Sequence, residues 1–411
     1  MNILAISHLF PHIKEPRYGI FAARQLSGLR RLGADITVIV PRVWCPAVLR
    51  HFEKWREHDH TTSLCKFEDL ETIAIPYIRP PGNWYNRWAG LAAFLAMKKK
   101  AGQLHRQHKF EIIYATDIFP DGDAAVRLGR YLHVPAACLA IGVDVNVTAR
   151  SSKRIYRRFA QVTTSLDGIL ACGQSVAEGI RAVASEEPLC VYGVLDLEEF
   201  SPVQDKKPVR TELGLPFDRT IVLYAGYLAR RKGVYELLDA FDGVCSTHRD
   251  VMLVMCGGGS EQSELKRLVQ NKGIEGIVRL VGEVEPEQMS KWMQASDLFV
   301  LASHTEGMPN VVMEAMASGL AVIATSVGGL PAAIGDCEGA ILIPPKDIEA
   351  LQKAIADLVS CREFRERMGA AGRKRAEEKF SVDRNAHAIL NYLEKVAAKN
   401  RSWRAKGATV E

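Results

Sequence analysis

An α/β fold in two similar halves is what the sequence predicts. Three observations carry it: short apolar, β-branched runs alternate with segments of helical period; the alternation breaks near residue 200 and starts again; and 411 residues, at about 150 per domain, leave room for two or three domains. Short buried strands between amphipathic helices imply parallel sheets covered on both faces. Apolar residues at 47% and charged residues at 25% are the mix of an ordinary globular chain and exclude a disordered or fibrous one.

Residues 3–6 form the first apolar run, residues 19–32 carry a helical stripe of Ala22, Leu26 and Leu29 ending at Gly33, and residues 36–40 read as the next strand. In the second half, strands are expected at 221–224, 251–255, 277–281, 298–301 and 321–324, with helices near Val234, Glu261, Glu287 and Asn310. Pro202, Gln204, Asp205, Lys206, Lys207 and Pro208 interrupt the pattern. The expected domains are therefore 1–200 and 201–382, followed by a helix and tail over 383–411. Ala386, Ile389, Leu390, Leu393 and Val396 give that helix one buried face. The pattern does not name the half it packs on, and return onto the N-terminal domain is one option.

Charge and cysteine usage narrow the function classes. With 53 basic and 48 acidic residues the net charge is +5, compatible with phosphates or an anionic membrane but too small to argue nucleic-acid binding. Nine scattered cysteines without a C-x-x-C pair read as reduced thiols in a cytoplasm, not as a disulfide framework or zinc site. The first seven residues look like a strand and not a secretion signal, and the longest apolar run, residues 91–97, is far short of the ~20 residues a membrane span requires.

The most informative segment is residues 303–319, which follow an apolar strand and open a helix. Pro309 suits a first helical position and Gly319 the stop. In open α/β sheets ligands bind beyond the carboxyl ends of strands, and unpaired N–H groups near Asn310 would attract a phosphate there. Val311, Val312, Ala315 and Met316 supply the buried face, leaving Asn310 and Glu314 on another, where Glu314 can accept bonds from ribose hydroxyls and Glu306 can reach a sugar beyond the phosphates.

The string E-G-M-P-N-V-V-M-E-A-M-A-S-G-L-A-V-I-A-T, from Glu306 through Glu314, resembles the E-x7-E signature of retaining glycosyltransferases of family 4. The resemblance implies the GT-B architecture, two facing Rossmann-like domains with a cleft between them, and metal-independent transfer of a sugar from a nucleoside diphosphate sugar, with no cofactor. It places Gly307, Met308, Pro309, Asn310 and Glu314 at the donor and Glu306 at its sugar. Residues 224–233 look like the family's strand-to-loop segment ending in Lys-Gly, which assigns Gly226, Arg231 and Lys232 to the diphosphate. A fixed cation there stabilises charge that grows on the leaving group as the sugar bond breaks. The family usually has an arginine after the glycine where this chain has Tyr227, so Arg230 or Arg231 is the substitute. Gly257 and Gly259 lack the third glycine of a dinucleotide motif, Gln262 standing there; the turn helps shape a base pocket or is simply a tight βα turn.

The N-terminal half would hold the acceptor. Gly19 resembles the family's glycine near the cleft, where a missing side chain lets substrate approach, and residues 120–122 and 142–146 look like elements of bacterial enzymes building teichuronic-acid-like polysaccharides. Many relatives carry histidines at positions corresponding to Tyr114, Thr116 or Ile141, and this chain has none of them, so Asp144, Asp117 or Asp121 compensates or the acceptor is handled differently; an aspartate at a strand end is also a common loop cap. Two stripes, Arg150, Arg154, Arg157 and Arg158, and Trp84, Trp88, Leu91 and Leu95 before Lys98, Lys99 and Lys100, are candidates for peripheral contact with an anionic membrane carrying a lipid-linked acceptor, or are packed helices with solvated basic faces. The leading reading is a cytoplasmic retaining hexosyltransferase for a glycan or lipid-linked acceptor of the cell envelope. A nicotinamide oxidoreductase would need an intact G-x-G-x-x-G, whereas a catalytically silent nucleotide-sugar-binding partner or scaffold is separable only by assay.

Overall fold

The structure, a computed structural model, describes residues 1–13, 18–46, 48, 51, 52, 64, 67, 70–80, 86–184, 186–192, 195–306 and 309–407. The chain divides into two compact units, Met1–Val194 with Val382–Glu411, and Leu195–Ser381.

The first unit is a seven-stranded sheet of β1 (Asn2–Ile6), β2 (Asp35–Trp44), β3 (Glu71–Ile78), β4 (Ile112–Ala115), β5 (Ala136–Ala140), β6 (Gly168–Ala171) and β7 (Leu189–Cys190), in the order β3-β2-β1-β4-β5-β6-β7. Every pairing is parallel. Successive side chains of a strand point to opposite faces, so Ile3 and Ala5 of β1 enter one apolar cluster and Leu4 and Ile6 the other. Helix Ile20–Arg31 and the terminal helix Val382–Gly407 cover the first face; helices Asn86–His108 and Lys153–Ser165 cover the second. The terminal helix packs on this unit because Gly28 leaves room for it: a Cβ there would lie 2.9 Å from Val382 Cγ1. Tyr392 reinforces the seat, its hydroxyl accepting from Ile169 N at 3.0 Å.

The second unit is a six-stranded parallel sheet of β8 (Thr220–Ala225), β9 (Val251–Cys256), β10 (Val278–Gly282), β11 (Leu298–Leu301), β12 (Ala321–Thr325) and β13 (Ala340–Ile343), in the order β10-β9-β8-β11-β12-β13. Its strands begin and end within a residue or two of the expected positions. Asp297, entering β11, anchors the start of the sheet by accepting from Ile221 N at 2.7 Å, Arg210 Nη2 at 2.6 Å and Lys206 Nζ at 2.8 Å. Burial works against that charge, but the two cations outweigh it and hold the carboxyl below its ordinary range.

Each sheet has one point where strand order reverses, between β1 and β4 in the first unit and between β8 and β11 in the second. Loops leaving such neighbours diverge to opposite faces and open a crevice beyond the strand ends, where ligands bind in open α/β sheets. Among the described residues, no helix is long and apolar enough to cross a membrane.

Candidate active site

The crevice of the second unit is built by the loops that leave β8 and β11. Lys232 ends a short 3₁₀ turn, Arg230–Lys232, and Gly233 follows with φ 66, a left-handed conformation that starts helix Val234–Cys245. A Cβ at Gly233 would lie 1.9 Å from Ala302 O, so only glycine lets the β8 loop lie against the β11 exit. Two bonds lock that contact: His304 N donates to Arg231 O at 2.8 Å, and His304 Nε2 meets Glu236 Oε1 at 2.8 Å.

The outcome is a charged pair. Lys232 Nζ lies 2.6 Å from Glu306 Oε1, with 16% of the lysine side chain and 9% of the glutamate side chain exposed. Ser303 Oγ donates to the same oxygen at 2.6 Å, and Ser303 O is held by Thr325 Oγ1 of β12 at 2.5 Å. Glu306 Oε2 carries no protein hydrogen bond among the described residues. The buried Tyr224 phenol, which donates to Tyr227 O at 3.1 Å, is pushed up by desolvation and then by the nearby Glu306 carboxylate. Arg231 is exposed, and its side chain has no hydrogen bond or ion pair among the described residues. Arg230 leans instead over the Tyr235 ring at 5.0 Å and toward Glu261 Oε2 at 3.6 Å.

Helix Asn310–Ala317 carries Glu314, which is half-buried, and Asn310, which is exposed; Ser318 N and Gly319 N bond back to close it, with Gly319 at φ 73. Pro309 stands at the cap position, φ −75 and ψ 110, one residue before the helix and not inside its first turn as expected. Gly307 and Met308 lie outside the described residues.

Gly226 and Gly257 have a packing role that spacing alone left open. At φ 141, Gly257 would place a Cβ 1.9 Å from Gly226 O, while Gly257 N donates to Gly282 O at 2.7 Å and Leu228 N to Gly258 O at 2.8 Å. The β8 and β9 exits thus touch backbone to backbone at the edge of the crevice. Gly19 behaves likewise: at φ 68 a Cβ there would lie 2.3 Å from Leu9 O, so the close approach is to the chain's own backbone.

At the crevice of the first unit, His8 leaves β1 and Asp117 leaves β4. His8 Nδ1 lies 3.0 Å from Asp117 Oδ2 and 3.1 Å from Asp121 Oδ2, and His8 N donates to Asp121 Oδ2 at 2.7 Å. Asp144, 3% exposed, uses Oδ2 to accept from Ile118 N at 2.9 Å and Ile141 N at 3.2 Å, so it ties the β4 and β5 exits together as a loop cap. Burial, then the Asp117 charge, pushes its carboxyl well up against those two N–H groups. Burial likewise raises Asp117 to about 6, His8 opposing and Asp121 adding to the rise. Desolvation lowers the His8 pKa, but the two carboxylates outweigh it and hold the imidazole well above its ordinary value. His8, Asp117 and Asp121 are the one His/Cys/Asp/Glu group among the described residues with atoms close enough, within 4.8 Å, to share a metal ion. The fit is poor, because His8 Nδ1 is already engaged by both carboxylates and a charged imidazole fills the cation's place.

Sequence reasoning expects residues 306–314 and Lys232 to converge on one pocket, and the structure brings Lys232 and Glu306 into contact; it assigned nothing to Ser303 or His8, although a histidine just after the first strand was a signal. Tyr114 and Thr116 point inward, bonded to Gln25 at 2.8 Å and Ser7 at 2.7 Å, so side chains there serve the core. The arginine stripe is shorter than expected: Arg158 turns in to the buried Asp123 and Arg150 lies in a separate 3₁₀ turn, Ala149–Ser151, before the helix, although Arg150, Arg154 and Arg157 are each exposed. Trp84 of the other stripe lies outside the described residues, while Trp88, Leu95 and Lys98 are exposed.

Residues 205–375 match the family described as Glycosyl transferases group 1. A Bacillus subtilis (strain 168) protein assigned to teichuronic acid biosynthesis as the glycosyltransferase TuaC is 31% identical over 362 residues, 86% of this chain and 88% of that protein. Among solved structures, Anabaena Alr3699/HepE in complex with UDP matches with a TM-score of 0.71 at 18% identity, over 96% of this chain and 100% of the other. A sucrose-phosphate synthase from Thermosynechococcus elongatus matches with a TM-score of 0.70 at 20% identity, over 97% of this chain and 100% of that one. At such identities the likeness is one of fold, the pairing of two Rossmann-like domains named GT-B.

Proposed function

The chain belongs to the group 1 glycosyltransferases, and from that premise we propose that it is a retaining enzyme that moves a hexose from a nucleoside diphosphate sugar to a glycan or lipid-linked acceptor during synthesis of a cell-surface polysaccharide. The observation that carries the reading is the Lys232–Glu306 pair at the β8/β11 switch point. Desolvation of its two mostly buried charges offsets much of the pair's attraction, so its presence is weak evidence of a stabilising role. As a ligand site it is well matched: a diphosphate competes for the lysine, and a sugar hydroxyl can donate to Glu306 Oε2.

In this reading Lys232, helped by the exposed Arg231 and by N–H groups near Asn310, holds the diphosphate; Glu314 accepts from the ribose, and Glu306 orients the donor sugar. Gly226 and Gly257, packed against the chain's own atoms, shape the edge of the crevice that would take the nucleotide. The bond from the anomeric carbon to the diphosphate breaks as the acceptor oxygen attacks from the same face. That same-face attack retains the configuration; the acceptor's proton passes to the departing phosphate oxygen, and Lys232 balances the charge that develops. This chemistry requires neither metal nor cofactor. The exposed Arg150, Arg154 and Arg157 would hold the first unit against an anionic lipid surface on the cytoplasmic side.

The test is purified protein with UDP-, GDP- and ADP-sugars and sugar acceptors, the product's anomeric configuration read by NMR. Transfer with retained configuration supports the proposal; inverted product rules out the mechanism, and donor binding without transfer or hydrolysis leaves the silent binding partner in its place.

A further inference from the structure

We propose that His8 is a substrate-contact residue of the first unit, its Nε2 bonding a hydroxyl of the acceptor sugar; the inference rests on the transfer reading above. Three observations carry it. His8 and Asp117 follow β1 and β4, the two strands that flank the switch point of this sheet, so the imidazole stands where a crevice opens. Its inner edge is fixed by three contacts, from Asp117 and Asp121 on Nδ1 and from Asp121 on the backbone N–H, which set the position of the ring. Nε2 has no protein partner among the described residues, and 21% of the side chain is exposed.

The surroundings select the ligand. Asp117, Asp121 and Asp144 lie on the β4 and β5 exits, and Tyr77 and Arg79 come from the β3 side, so the cluster is rich in carboxylate and disfavours a phosphate. A sugar hydroxyl is neutral and both donates and accepts. Asp121 Oδ1, in a residue 0% exposed, is buried without any hydrogen-bond partner, so the cluster is one donor short of saturation. Positioning an acceptor oxygen in this way raises its effective concentration at the reaction centre.

Two amide variants separate contact from scaffolding. The Asn side chain places its amide nitrogen where imidazole has Nδ1, keeping the bond to the aspartates, whereas Gln reaches the position of Nε2. With the donor sugar that the wild type uses and octyl glucoside or octyl N-acetylglucosaminide as acceptor, His8→Asn should lose transfer at least 30-fold, chiefly as a raised acceptor KM. Donor affinity and the slow hydrolysis of donor by water should stay within twofold, and His8→Gln should recover a tenth or more of wild-type transfer. Transfer by His8→Asn within threefold of wild type overturns the inference, as do equal losses in both variants that retain the wild-type melting temperature. If His8→Asn does not fold, His8→Gln decides: intact transfer supports the contact, and a loss of more than 30-fold overturns it. Absence of transfer by the wild type itself instead overturns the transfer reading, and the inference with it.

Discussion

Lys232 Nζ rests 2.6 Å from Glu306 Oε1, although the two residues lie 74 positions apart on loops leaving different strands. The cation that would meet a diphosphate and the carboxylate that would meet a sugar therefore hold each other before any ligand arrives. Removing either leaves the other in a site with little solvent to compensate it.

Replacing Lys232 or Glu306 with Ala should lower kcat about 10²–10³-fold, the usual loss when one preorganised charge contact to a transition state is deleted. Stability should respond differently: each single variant melts lower than the wild type, and the Lys232→Ala/Glu306→Ala double variant recovers part of the loss, with a coupling of about 0.5–3 kcal/mol. Calorimetry on the four proteins checks this, and strict additivity contradicts the pairing.

Two glycines separate close packing from backbone strain. Gly257→Ala meets Gly226 O at 1.9 Å and should unfold the second unit or cost well over the ~1–2 kcal/mol of a left-handed alanine, whereas Gly273, φ 69 with nothing within 4 Å, should cost only that amount. Urea midpoints of the two variants make the comparison.

Proton binding by the first unit has a defined sign. His8 is raised well above 6.5 in the folded chain, so above pH 6.5 the folded state keeps a proton that the unfolded chain loses. Stability from this group is complete below the unfolded value and falls as pH rises through the folded one. Asp117, raised from 3.8 to about 6, acts in the same direction between those values. Melting temperature should therefore decline as pH rises above 6.5, and His8→Asn should flatten the slope; an unchanged slope contradicts the pairing with Asp117 and Asp121.

Arg150, Arg154 and Arg157 are each exposed, and each is worth about 1 kcal/mol at an anionic surface. Changing all three to Glu should reduce cosedimentation with phosphatidylglycerol vesicles at least tenfold without lowering the melting temperature. Undiminished binding removes these residues from any membrane contact.

The second unit was legible in sequence because its strands are short apolar runs punctuated by glycines: 251–255 and 298–301 could be read almost to the residue. Strands β3 to β7 were not assigned, since Glu71–Ile78 mixes exposed and buried positions and Leu189–Cys190 is too short to show a period. At the site, residue types were legible and contacts were not. Spacing could bring Glu306 near a helix start, but nothing local tells that Lys232 reaches it, that Arg158 is taken by Asp123, or that the Gly257 turn exists to clear Gly226 O. Those are long-range relations, set by which strands become neighbours.

The most direct measurement is calorimetric titration of the wild type and of Lys232→Met with UDP-, GDP- and ADP-sugars. One nucleoside diphosphate sugar should bind the wild type selectively, and loss of the ammonium should weaken it at least tenfold, about 1.4 kcal/mol. Equal affinity in both proteins, or no binding of any activated sugar by the wild type, would contradict the assignment of the β8/β11 crevice.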